Sequence, residues 1–230
     1  MLKVDSYTSD ILKDITFTLE NRNLIVLGNN GAGKTTLAKV LSGIIRSNSV
    51  KIDDQNPSQI FGSSRTKLIN YIPAKMEVYD EFMSVEEFLD INKLYSTCSI
   101  DECLEILDIS YIKDKICKNL SSGESQLLLI ASAILHNAKY TIFDEPTSNL
   151  DPLKIKNTFG ILKDDKLFQN KIIITHNLDL AYKLGYDVLF LKDGKVVFLG
   201  DNKTFFSQEN LELFFKNSVK IAQNSIVVNL

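Results

Sequence analysis

"GNNGAGKTTL", Gly28 to Leu37, follows directly on the apolar run Leu24–Leu27. Gly28-Asn29-Asn30-Gly31-Ala32-Gly33-Lys34-Thr35 has the spacing G-x4-G-K-[ST]. Glycines at these positions let the backbone turn tightly and aim N–H groups at an anion. A helix opening near Gly33 adds its positive end to the same anion. Lys34 is placed to reach the β- and γ-phosphates. Thr35 offers a hydroxyl to Mg2+, and Thr36 follows it into the helix. The strand before and the apolar helix after supply the context such a cradle needs. The expected ligand is a nucleoside triphosphate with Mg2+.

Three further stretches carry chemistry. "YTIFDEP" sets Asp144 and Glu145 at the end of a buried strand. One carboxylate there can hold Mg2+ through its water shell, and a second beside it can polarise an attacking water. "IIITHN" puts His176 at the tip of another buried strand, on the side of an open α/β sheet where phosphates bind. The other histidine, His136, falls inside an apolar helical pattern and reads as a packed residue. "NLSSGESQLLL" places Ser121, Ser122 and Gly123 at the start of an apolar helix, with hydroxyls, a pliable backbone and a helix N-terminus all suited to an anion.

The chain has 230 residues, 44% apolar and 24% charged, with a net charge of −3 from 26 basic and 29 acidic residues. This is the composition of a globular protein with a substantial core. No block of Lys and Arg marks a nucleic-acid surface, so no nucleic-acid partner is expected. No apolar run approaches a membrane span, and the first ten residues lack the pattern of a secretory signal. Three cysteines without C-x-x-C spacing read as reduced thiols.

Apolar runs at Leu24–Leu27, Tyr140–Phe143, Ile172–Thr175, Val188–Leu191 and Val196–Leu199 predict strands, the continuous ones buried on both faces of a parallel sheet. Ile15–Leu19 alternates, as an antiparallel strand with one wet face does. Asp193-Gly194 predicts a tight hairpin. Ser84-x-x-Glu87 and Ser99-x-x-Glu102 predict helix starts through capping boxes. Ile100, Cys103, Leu104 and Leu107 then share one helical face. The tail from Leu211 reads as a helix and a last strand.

Taken together and in order, these motifs resemble the nucleotide-binding subunits of ABC transporters over residues 1–205. "GNNGAGKTT" matches the Walker A motif, "LSSGE" the signature motif in a variant form, "YTIFDE" the Walker B motif, "SNLD" the D-loop and His176 the switch histidine. Tyr7 precedes "ILKDITF" where that family carries an aromatic that stacks on adenine. The fold this implies is α/β: a P-loop NTPase core with a mixed sheet flanked by helices and an antiparallel β part. Residues 1–75 and 123–205 would form the core, 76–122 an inserted α-helical subdomain, and 206–230 a short extension.

The resemblance implies a Mg2+-dependent ATPase coupled to transport. Two copies would pair head to tail, so that Ser121 and Gly123 of one meet the γ-phosphate held by Gly28–Thr36 of the other, with Ser122, Glu124 and Asp151 of the D-loop also at the bound nucleotide. Glu145 would orient water, His176 would hold the γ-phosphate, and Thr35 with Asp144 would serve the metal. Implied partners are integral membrane permease subunits and, through them, a solute-binding protein. The implied place is peripheral, on the cytoplasmic face of a bacterial inner membrane. Import of an iron chelate, haem or cobalamin is the reading; an exporter subunit and a soluble non-transport ABC ATPase are the alternatives. Two departures stand out. Ala74 in "NYIPA" replaces the glutamine that reaches Mg2+ in the family, and Ser122 replaces a glycine, which is tolerable only at negative φ.

Overall fold

The computed structural model describes residues 1–77 and 80–229; Val78 and Tyr79, within the expected helical insert, and Leu230, at the end of the expected extension, lie outside the described residues. In chain order the elements are β1 (Leu2–Tyr7), β2 (Ile15–Leu19), β3 (Leu24–Gly28), α1 (Lys34–Leu41), β4 (Val50–Ile52), α2 (Ser63–Leu68), β5 (Ile69–Ile72), α3 (Val85–Asn92) and α4 (Ile100–Ile106). There follow α5 (Ser122–His136), β6 (Tyr140–Asp144), α6 (Pro152–Lys163), β7 (Lys171–Ile174), α7 (Leu178–Leu184), β8 (Asp187–Lys192), β9 (Lys195–Gly200), α8 (Asn202–Phe205), α9 (Gln208–Phe215), β10 (Val219–Ala222) and β11 (Ser225–Val228). The fold is α/β with a mixed sheet, helices and a separate antiparallel β part. The chain divides into two compact units, Met1–Gln59 with Ile172–Leu230, and Ile60–Lys171.

In the first unit, β3 runs parallel to β7 on one side and to β8 on the other, and all five of its residues are buried. Two covered faces explain why this strand is apolar throughout. Antiparallel β9 closes that edge against β8. Asp193 and Gly194 join the two with φ of 51° and 76°, the two positive values a type I′ turn requires. β2, β1 and β4 form the antiparallel sheet, and β2 alternates buried and exposed as its sequence does.

The tail differs from the expected helix and single strand. After α9 comes a hairpin, β10 against β11, in register from Val219↔Val228 to Ala222↔Ser225. Its turn, Gln223-Asn224, adopts positive φ at both residues without a glycine. The missing glycine is why the sequence pattern hid the turn. The hairpin packs on α7, where the Ile226 N–H donates to Asp179 Oδ1 at 3.0 Å.

In the second unit, β5 and β6 pair in parallel, from Ile69↔Tyr140 to Ile72↔Phe143. α5 is apolar on nearly every side and is buried from Gly123 to His136 except at half-buried Ser125. A helix without a polar face has to be enclosed, and α3, α4 and β5 pack against it. α3 and α4 start at Ser84 and Ser99 with both halves of each capping box made. Together with 3-10 turns at Ser110–Ile112 and Cys117–Asn119, they occupy the stretch read as a helical insert.

Candidate functional site

In the first unit, β3 ends at Gly28 and α1 begins at Lys34, so the glycine-rich loop fills the gap between a buried parallel strand and a helix N-terminus. Gly33 caps α1 in the left-handed region at φ 99°. That conformation favours glycine, and a Cβ there would also press on Leu12 Cδ2 at 2.5 Å. Lys34 is only 8% exposed, and its ammonium donates to the carbonyls of Gly28 at 2.7 Å and Asn29 at 3.1 Å. The cation is thus folded over the loop that the sequence reads as an anion cradle. Thr35 and Thr36 lie in the first turn of α1, Thr35 exposed.

Beside this loop is a cavity of about 360 Å3 lined by Gly28, Asn29, Asn30, His176, Phe190 and Phe215 among others. It brings His176, exposed just past the end of β7, to the loop. Asn177 then caps α7, its Oδ1 accepting from the Leu180 N–H at 3.0 Å, which fixes the chain direction after the histidine. Ala32 is buried and Gly31 exposed. Tyr7 sits at the end of β1 opposite Ile15 and is 9% exposed.

In the second unit, Asp144 is the last residue of β6 and is 3% exposed. Its Oδ2 accepts a hydrogen bond from the Tyr71 hydroxyl at 3.0 Å. Glu145 follows in the left-handed region at φ 51°, half-buried. A glutamate held there stores backbone strain of about 1–3 kcal/mol, as residues at working sites commonly do.

The start of α5 is a third capping box. Ser121 Oγ accepts from the Glu124 N–H at 3.2 Å, and Glu124 Oε2 accepts from the Ser121 N–H at 2.8 Å. Lys115 donates to Glu124 Oε1 at 2.8 Å. That ammonium first, and then the Ser121 N–H, hold the Glu124 carboxyl down to about 2 from its ordinary 4.5. Ser121-x-x-Glu124 is the sequence signature of this box, in the same residues that suit an anion. The two roles are compatible, since a cap uses a lone pair of the hydroxyl and leaves its O–H to donate.

Ser122 is not among the residues at positive φ, so it sits in its helix without backbone strain. Gly123 is buried, and a Cβ on it would approach the Asn149 carbonyl to 3.4 Å and Lys154 Nζ to 3.6 Å. The signature segment and the loop 148–151 are therefore neighbours. Asp151 caps α6, accepting from the Lys154 N–H at 3.0 Å; that bond first pulls its carboxyl below the usual range. His136 is structural: buried at the end of α5, its Nε2–H donates to the Thr66 carbonyl at 2.8 Å, and burial lowers its pKa.

The donor chemistry fits a triphosphate with magnesium. Among the described residues no group of three or more His, Cys, Asp or Glu could hold a metal alone. Magnesium characteristically takes one or two carboxylates and completes its shell with substrate phosphates and water. The Thr35 hydroxyl in the first unit and the Asp144 carboxylate in the second are each a hard oxygen donor of that kind.

The family profile described as ABC transporter matches residues 12–148. A relative from Clostridium tetani is 31% identical over 194 residues, covering 81% of this chain and 44% of that one, so the chain spans under half the length of that relative. The phosphonates import ATP-binding protein PhnC of Fusobacterium nucleatum is 31% identical over 208 residues, 81% of this chain and 84% of PhnC. An ATP-binding cassette solved as a dimer in a post-hydrolysis state with ADP and Pi superposes with a TM-score of 0.75 at 20% identity, over 88% of this chain and 99% of that one. The motifs, the fold and these matches agree: the chain belongs to the ABC transporter family, as an ATP-binding domain of its ATPase class.

Proposed function

We propose that this chain binds ATP with Mg2+, pairs with a second copy around two nucleotides, and hydrolyses them to drive solute import through membrane permease subunits. The observation that carries the reading is the loop Gly28–Thr35, strung between β3 and α1 with the Lys34 ammonium folded across it. Lys34 and the loop residues Asn29 to Thr36 receive the phosphates, and Tyr7 meets the adenine edge. Thr35 and Asp144 hold the metal, which neutralises charge developing on the phosphates. Glu145 orients the attacking water, and His176, which lines the cavity beside the loop Gly28–Asn30, holds the γ-phosphate. Ser121 to Glu124 serve the nucleotide of the opposite copy, with Asp151 beside them.

ATP is then a ligand of the closed pair only. It shifts the open–closed equilibrium by its differential affinity, and hydrolysis removes that bias. No helix among the described residues is long and apolar enough to cross a membrane. By the family resemblance, partner permeases supply the membrane passage and this chain sits peripheral on the cytoplasmic face. The importer name of PhnC supports the direction and leaves the cargo open. The iron-chelate, haem or cobalamin class rests on the resemblance of the signature and tail. Ala74 favours a second reading, a module that closes on ATP and turns over slowly.

Purification from native membranes in mild detergent tests the proposal. A polytopic membrane protein together with a solute-binding protein supports import, and the ligand of the binding protein names the cargo. A membrane partner alone favours export, and no membrane partner overturns the transport reading. A steady-state ATPase assay on the same material separates the slow module from a working ATPase.

A further inference from the structure

Tyr71 is the third residue of β5, three before Ala74. In the parallel register it lies opposite Ile142, so its side chain shares a face with Ile142 and, two residues on, Asp144. A tyrosine is long enough to reach past its own cross-strand partner. Its hydroxyl donates to Asp144 Oδ2 at 3.0 Å. A phenylalanine would fill the same half-buried place on the strand and lose the hydrogen bond to the carboxylate.

We propose that Tyr71 is a positioning residue for the metal carboxylate. Its hydroxyl holds one oxygen of the Asp144 carboxylate and so helps to set the rotamer that faces the metal. The inference rests on the reading of Asp144 as a magnesium ligand. Partners that orient a ligating carboxylate commonly matter about 10-fold or more in metal affinity.

The test compares Tyr71→Phe, Asp144→Asn and wild type as the full chain, with a fluorescent imido analogue of ATP as probe. Affinity is measured in Mg2+ and again in EDTA, and the ratio of the two isolates the metal's share. Tyr71→Phe is expected to shrink that ratio about 10-fold, with affinity in EDTA unchanged. A ratio equal to that of wild type overturns the proposal. An equal loss in Mg2+ and EDTA overturns it too, because the residue then acts only through packing. If Asp144→Asn leaves the ratio untouched, the assignment of Asp144 itself fails and the role of Tyr71 falls with it. If Asp144→Asn collapses the ratio and Tyr71→Phe does not, only the role of Tyr71 is lost.

Discussion

Ser121 and Glu124 hold each other at the start of α5, each side chain accepting the other's backbone N–H, at 3.2 Å and 2.8 Å. The residue assigned to an opposite nucleotide is thus also the cap of the most deeply buried helix in its unit. Ser121→Ala is expected to cost about 1 kcal/mol of stability through the lost cap, along with function. Ser121→Asp separates the two roles, because aspartate caps as well as serine and donates no hydrogen bond. Its urea midpoint should match wild type while ATP-driven pairing is lost. Retained pairing would remove the hydroxyl from the phosphate site.

Lys115 reaches the same glutamate from the opposite side at 2.8 Å, and its stem also places the ammonium 5.3 Å from the Tyr111 ring centre. The folded-state carboxyl of Glu124 titrates near 2 against an ordinary 4.5. A depressed acid stabilises the fold fully above the unfolded value, and this is lost as pH falls from 4.5 toward 2. The stability gap between wild type and Lys115→Met should therefore be open at pH 7 and close over that window. Chemical unfolding at stepped pH measures it. A gap that does not change with pH would assign the whole effect of Lys115 to packing on Tyr111.

Glu145 bears its left-handed conformation directly before Pro146, which narrows its backbone choices further. Glycine there would release about 1–3 kcal/mol of strain and return about 0.5–1 kcal/mol to the unfolded chain as entropy. Glu145→Gly should thus unfold at no lower urea concentration than Glu145→Gln, although both are inactive. A clearly less stable glycine variant would show that side-chain contacts of Glu145, rather than backbone strain, dominate at this position.

Ala74 stands half-buried two residues after the end of β5. Ala74→Gln is expected to change the Mg2+ dependence or the rate of ATP turnover. Superimposable Mg2+ activation curves for the variant and wild type would show that this position is not coupled to the metal here.

Much of this was legible in the sequence because it is local. The strand–loop–helix at Gly28, the capping boxes at Ser84 and Ser99 and the turn at Asp193-Gly194 each depend on residues within a few positions of one another. Strand limits moved by a single residue, as at β7, where Lys171 joins the run from Ile172 and Thr175 falls outside. The bond from Tyr71 to Asp144 was not legible, since it depends on which strand lies beside which and in what register. The hairpin at Gln223-Asn224 escaped for a different reason: neither residue advertises positive φ as glycine does. The cap role of Asp151 was hidden by its family role, although aspartate before Pro152 is a strong helix start.

The central claim is that ATP closes two copies of this chain and hydrolysis opens them. Glu145→Gln should trap the closed state, because it keeps the site's shape and removes the group that orients water. Light scattering of this variant on a sizing column tests it directly. The account predicts one chain's mass without nucleotide, twice that mass with ATP, and slow phosphate release. A species of one chain's mass with ATP bound, or rapid phosphate release by the variant, would contradict it.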